Sequence, residues 1–386
     1  MVIQSAIKMF PEPSWARLVW FYGVKKCLGF GLRFNLVPAR HREILGSIHR
    51  CITSAVLGRR KFGFARTMMI EMSSICNAKC GFCPYPILEF PRKIMTNDFF
   101  TRSVDFAIRL GIRDFDLTPY LGEAFVDPQF MKRVRQLHDR VPNGKIRFTT
   151  NGTFFQRCDC EELLTSGVGR INISFGAWGR EDYLKLYNID AWETVLSGVR
   201  KLLDAKKALQ SKVKIALWYR TLDAQKVRAN PENRKFLECY RDVIDEIIYT
   251  DVYHDILTIS GQQPKHLRLA PRVDASRIKR PPCANLGTLA VNSTGNIFMC
   301  YCGATDCYKQ EKSWFYLGSM HKPFDLNKSL AAKVGAWERG ELPESCKTCP
   351  VYVPANKPDS IEYSEILSSR NDSEEEPLPS LIHANG

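Results

Sequence analysis

The chain lacks an apolar run long enough to cross a bilayer. Its most aromatic stretch, residues 15–36, is interrupted by Arg17, Lys25, Lys26 and Arg33, whereas a spanning helix needs about 20 consecutive, predominantly apolar residues. It also lacks the basic, apolar and small-residue regions of a signal peptide. Acidic residues are scarce at the start: residues 1–60 hold ten Lys and Arg against Glu12 and Glu43. An aromatic, basic segment suits a membrane interface, so peripheral membrane contact is one expectation and a solvated basic face is the plainer one. No nucleic-acid partner is expected.

A disulfide framework is missing too. Fourteen cysteines are many for 386 residues, but they cluster at close spacings. Without a signal sequence, such clusters read as metal ligation in a reducing compartment, and the expected location is the cytoplasm. The length admits one large or two medium domains. A hydrophobic content of 45% is enough for a sizeable core.

The densest chemistry lies in residues 76–83, CNAKCGFC, where Cys76, Cys80 and Cys83 follow a strand-like run at 67–73. A structural zinc wants four ligands, and residues 66–91 contain no fourth Cys or His. Three thiolates on one loop suit three irons of a cubic 4Fe–4S cluster and leave the fourth iron open to a ligand other than protein.

From residue 67 onward, strands and helices alternate. Strands are expected at 67–73, 114–118, 145–149, 170–174, 213–219 and 246–249. Helices are expected at 97–110 (with Thr96 as N-cap), 128–138, 160–166, 181–205 and 232–241, the fourth broken near 187–191. This order predicts a parallel sheet with helices outside. The expected fold class is α/β, a partial (β/α)6 TIM-like barrel followed by a small β-hairpin/helix auxiliary-cluster domain. The expected boundaries are a basic, partly helical extension at 1–65, the barrel at 66–255, a connector at 256–280, the auxiliary domain at 281–352 and a largely disordered acidic tail at 353–386.

The cysteine loop, with the aromatic Phe82 before its last cysteine, resembles that of the radical S-adenosylmethionine (radical SAM) superfamily. The resemblance implies that Cys76, Cys80 and Cys83 hold the SAM-binding 4Fe–4S cluster. It further implies cofactor contacts at Phe82, at Gly122 and Glu123 after the second strand, at Asn151 after the third and at Ser174 closing the fourth. An external reductant of the flavodoxin or ferredoxin type is implied as partner. One position departs: where relatives often carry an Arg that pairs with the methionine carboxylate, this chain has Tyr187, with Lys185 or Arg180 as substitutes.

A second set, Cys283, Cys300, Cys346 and Cys349, has the form C-x11-G-x4-C with a later C-x2-C, and residues 288–300 read as a hairpin turning at 293–296. This resembles the twitch/SPASM domain, which implies a second, auxiliary 4Fe–4S cluster; a structural zinc is the plainer alternative. Cys302 and Cys307 are extra. Cys302 as hydrogen donor and Tyr253 as base are the catalytic candidates, with His254 and Asp251 beside the latter. Cys158 and Cys160 read as structural.

The expected function is reductive SAM cleavage followed by hydrogen abstraction from a small-molecule substrate. Oxidation or epimerisation of a sugar, cyclitol or polysaccharide precursor is the expected outcome. A peptide-modifying maturase with a peptide substrate is the alternative, and a non-catalytic iron–sulfur or zinc accessory protein is the second.

Overall fold

The computed structural model describes residues 67–253, 267–269, 283–300, 309–347 and 349. The readings for residues 15–36, for most of the connector, for the tail, and for Cys302, Cys307 and His254 lie outside the described residues.

Six parallel strands, β1 (Thr67–Ile70), β2 (Asp114–Asp116), β3 (Lys145–Thr150), β4 (Arg170–Ser174), β5 (Lys214–Arg220) and β6 (Glu246–Thr250), pair in sequence order. Helices cross between them: α1 (Asn97–Arg109), α2 (Phe130–Arg140), α3 (Cys160–Thr165), α4 (Arg180–Tyr187), α5 (Trp192–Leu209), α6 (Ala224–Ala229) and α7 (Pro231–Cys239). This is the predicted α/β partial barrel. Its main core lies on the helix side of the sheet, where Ile146, Phe148, Ile171, Ile173, Ile215 and Leu217 are at most 1% exposed. Phe148 meets Phe125 and Phe130 there at centroid distances of 5.7 and 4.9 Å.

Local chemistry sets the element ends. Thr96 Oγ1 accepts from Phe99 N–H at 3.2 Å and caps α1. The break between α4 and α5 comes at Asn188, whose φ of 51° and ψ of 31° are left-handed, a conformation Asn tolerates. The helix expected at 232–241 forms as α7, and a short helix that was not expected, α6, precedes it. Asn230 precedes a proline, stays extended, and caps α7 by accepting from Glu232 N–H and Asn233 N–H. The strand expected at 67–73 ends at Ile70; beyond it Glu71 N–H donates to the Val291 carbonyl at 2.9 Å.

After the barrel, β7 (Val252–Tyr253) pairs in parallel with β8 (Arg268–Leu269). The expected hairpin forms as β9 (Leu289–Val291) and β10 (Asn296–Met299), followed by β11 (Tyr316–Ser319), α8 (Leu326–Glu338) and α9 (Glu344–Lys347). Asn292 Oδ1 shapes its turn by accepting from Thr294 N–H and Asn296 N–H. The hairpin continues the barrel sheet. β9 runs parallel to β1 with Met68 opposite Leu289, giving one nine-stranded sheet.

One buried ion pair braces the start of the barrel. Arg133 Nη1 lies 2.8 Å from Asp127 Oδ2, with side chains 2% and 0% exposed, and Arg133 Nη2 donates to the Met95 carbonyl and to Asn97 Oδ1. Burial alone weakens both charges, pushing the Asp127 carboxyl up and the Arg133 guanidinium down. Arg133→Met is expected to lower the unfolding free energy by about 3–5 kcal/mol, since it strands a buried carboxylate. Adding Asp127→Leu is expected to recover part of that loss in denaturant melts.

Candidate active site

The cysteine loop leaves the carboxyl end of β1 and hangs on the last turn of α4. Lys79 N–H donates to the Tyr187 carbonyl at 3.2 Å and Gly81 N–H to the Leu186 carbonyl at 2.8 Å. Asn188 Nδ2 donates back to the Lys79 carbonyl at 2.8 Å. The loop thereby uses carbonyls that a helix end leaves open. Cys76 N–H donates to Tyr85 Oη at 2.9 Å. The Phe82 ring stacks on Tyr253 at 5.3 Å and 16° and meets Tyr187 edge-on at 5.3 Å. Phe82 is thus the aromatic peg that seats the loop on the barrel.

Desolvation pushes the Cys76 thiol up to about 12 and raises Cys80 and Cys83 as well. Such thiols keep their protons until a metal displaces them. Among the described residues, no three His, Cys, Asp or Glu side chains converge as a single ion requires. A cubic cluster takes one thiolate per iron, so its ligands stand apart. Three half-buried thiols on one loop fit that group rather than a mononuclear zinc.

The predicted strand-end residues assemble beside this loop. Gly122 passes the end of β1 so closely that a Cβ there would stand 2.3 Å from the Ser73 carbonyl oxygen, which only glycine avoids. Where the resemblance implies a ligand contact for the Glu123 carboxylate, the structure turns that group onto its own chain. It is 2% exposed and accepts from Thr150 Oγ1 at 2.7 Å, Asn151 N–H at 2.8 Å and Phe125 N–H at 3.3 Å. Burial raises its pKa against these bonds. Asn151 Nδ2 donates to Asn77 Oδ1 at 2.8 Å, and Asn77 Nδ2 to Thr153 Oγ1 at 2.8 Å. Asn77, inside the cysteine loop, therefore ties it to the end of β3, a link the sequence reading missed.

Tyr187, standing where relatives carry Arg, is buried, and its hydroxyl lies 3.0 Å from Ser174 Oγ. Gly176, at φ +85°, makes room for the Tyr183 and Tyr187 rings, which a Cβ would meet at 2.8 and 2.9 Å. Neither expected substitute cation reaches the site. Arg180 pairs with Asp190 and Lys185 with Glu181, on side chains 68% and 52% exposed. The cation that does face the loop is Arg220, at the end of β5. Its Nε donates to Ser174 Oγ at 3.0 Å, and its guanidinium lies 4.1 Å from the Trp218 ring and 5.1 Å from Phe82.

Tyr253 is not placed to act as a base. It is 4% exposed, its hydroxyl donates to the Thr221 and Thr250 carbonyls at 2.8 and 3.3 Å, and desolvation raises its pKa. Its ring instead supports Phe82. Asp251 Oδ2 accepts from Ala224 N–H at 3.4 Å.

The strand face opposite the helices is polar. Arg147 bonds Asp114 and Asp116 at 2.6 and 3.0 Å. Arg170 pairs with Glu246 and donates to Asn172 Oδ1. Trp218 Nε1 donates to Thr250 Oγ1 at 2.6 Å. These residues alternate at i and i+2 along neighbouring strands, so they share one face, and Ser174 and Arg220 lie at its upper rim.

Residues 70–219 match the model of the Radical SAM superfamily. They form a radical SAM domain. A probable GTP 3′,8-cyclase of Saccharolobus islandicus is 28% identical over 137 residues, covering 36% of this chain and 43% of that protein. The GTP 3′,8-cyclase of Rhizobium etli is 31% identical over 143 residues, covering 36% and 40%. The matched region spans less than half the length of these relatives. Among solved structures, Streptococcus suis SuiB bound to S-adenosylmethionine is 13% identical with a TM-score of 0.52, covering 84% of this chain and 82% of that one. That likeness concerns the fold alone.

Outside the radical SAM domain, the pairing of Leu289 with Met299 brings Cys283 and Cys300 to one end of the hairpin. Both are 7% exposed, and Cys300 holds a left-handed φ of 65°. Cys346 and Cys349 share one turn, in which Cys349 N–H donates to the Cys346 carbonyl at 3.5 Å. Because β9 parallels β1, Cys283 and Cys300 lie beyond the amino end of β1, whereas Cys76, Cys80 and Cys83 leave its carboxyl end. No helix of the described residues is long and apolar enough to cross a membrane.

Proposed function

We propose that this chain is a radical SAM enzyme acting on a small, polar, largely uncharged substrate such as a sugar or cyclitol, which it oxidises or epimerises. The observation carrying this reading is the three-thiol loop opening on a polar barrel face. Cys76, Cys80 and Cys83 would hold a 4Fe–4S cluster, which would supply the electron for reductive SAM cleavage and so the radical chemistry that removes a substrate hydrogen. Phe82, seated between Tyr187 and Tyr253, fixes the loop. Gly122, Glu123, Asn151 and Ser174 shape the neighbouring cofactor pocket, Glu123 by holding the end of β3. A flavodoxin or ferredoxin-type protein is the reductant, and the location is cytoplasmic.

Charge on the polar face favours a neutral polyol over a nucleoside triphosphate like the one named in the relatives' activity. Arg147 and Arg170 are already neutralised by Asp114, Asp116 and Glu246. A triphosphate needs several uncompensated cations. Cys283, Cys300, Cys346 and Cys349 hold an auxiliary 4Fe–4S cluster in a twitch/SPASM-like segment, which takes the second electron of an oxidation.

Anaerobically reconstituted protein with SAM and dithionite tests the reading. It is expected to yield 5′-deoxyadenosine and methionine one for one, and a deuterated polyol substrate to pass deuterium into 5′-deoxyadenosine. Zinc in place of iron, with no SAM cleavage, would leave an accessory protein instead.

A further inference from the structure

Arg220 is a charged group held in place by a neutral hydrogen bond and aromatic rings, with no carboxylate partner among the described residues. Its Nε is bonded sideways to Ser174 Oγ at 3.0 Å, and Ser174 Oγ is itself 3.0 Å from the Tyr187 hydroxyl. The guanidinium carbon lies over the Trp218 ring, 4.1 Å from its centroid, and 5.1 Å from the ring of Phe82 in the cysteine loop. Among the described residues Arg220 pairs with no carboxylate, unlike Arg147, Arg170 and Arg180. With Nε engaged, the two terminal amino groups form a planar fork whose natural complement is a carboxylate bound through both oxygens.

We propose that Arg220, on the fifth strand, grips the carboxylate of S-adenosylmethionine and does the work for which position 187, a tyrosine here, has no charge. The inference rests on the proposed SAM-cleaving function. Tyr187 keeps an indirect part, since its hydroxyl holds Ser174, and Ser174 holds Arg220. The contacts with Trp218 and Phe82 hold the fork beside the loop that carries Cys76, Cys80 and Cys83. Arg180 and Lys185 contribute nothing to the grip because both are paired on the surface.

The test is equilibrium binding to anaerobic, reconstituted holoprotein by calorimetry, using SAM and decarboxylated SAM as probes, with iron content and thermal melts as controls. Arg220→Gln is expected to weaken SAM binding about 10- to 100-fold, the scale of one charge-assisted bidentate contact, and to change binding of decarboxylated SAM by less than about twofold. Arg220→Lys, which keeps the charge and loses the fork, is expected to fall between. Equal losses for both ligands, or unchanged SAM affinity in Arg220→Gln, would overturn the assignment. Binding of neither ligand by the unmodified holoprotein would instead overturn the SAM-cleaving function beneath it.

Discussion

Alanine at Cys76, Cys80 and Cys83 together is expected to remove about four irons per chain, from about eight to about four, and to reduce SAM cleavage to the uncatalysed level. The iron loss is expected to stop at one cluster because Cys283 and Cys300 lie beyond the amino end of β1, away from the loop at its carboxyl end. The fold is expected to survive. The loop is held from outside the cluster by Leu186, Tyr187 and Asn188, by Tyr85 Oη on Cys76 N–H and by the Phe82 stack on Tyr253. Iron and sulfide analysis with low-temperature EPR reads the outcome, the SAM-sensitive signal vanishing while a second signal persists. Loss of all iron in the variant would mean that the two cysteine sets do not bind independently. Persistence of the SAM-sensitive signal would remove the loop from the chemistry altogether.

Glu71→Gln is expected to make stability independent of a titration that governs the unmodified protein. Glu71 is 3% exposed, and burial raises its carboxyl to about 8, opposed by the Tyr120 backbone bond. The folded protein therefore holds this proton far more tightly than the unfolded chain, whose carboxyl titrates near 4.5. The stabilising contribution is complete below that value and is lost as pH rises through about 8, amounting to about 5 kcal/mol over the window. Anaerobic denaturant unfolding from pH 5 to pH 9 isolates it as the difference between the two proteins. The pair should match near pH 5, with Glu71→Gln the more stable at pH 9. Parallel curves across the range would mean that Glu71 is ionised in the folded state.

The sequence by itself determined the cysteine loop, because its three thiols lie within eight residues and need no tertiary contact to be recognised. Alternation of strand and helix patterns is enough to show the βα units, and lost periodicity shows a break near 187–191. Gly122, Asn151 and Ser174 came from the resemblance, and their gathering near the carboxyl ends of the strands agrees with where a parallel barrel delivers its functional groups. The cation that the resemblance places at position 187 has no counterpart there, and which cation stands at that rim instead is set by strand pairing. β4 and β5 pair with Ser174 opposite Trp218, so Arg220, two residues beyond, arrives at the same rim although 46 positions separate it from Ser174. Tyr253 lost its place as a base for the same kind of reason: burial spends its hydroxyl on the Thr221 and Thr250 carbonyls. The attachment of the hairpin to β1, which sends Cys283 and Cys300 to the end of the sheet opposite the cysteine loop, depends on Met68 meeting Leu289. Parallel pairing between distant segments leaves no local signature, because its hydrogen bonds and packing exist only once the chain has closed on itself.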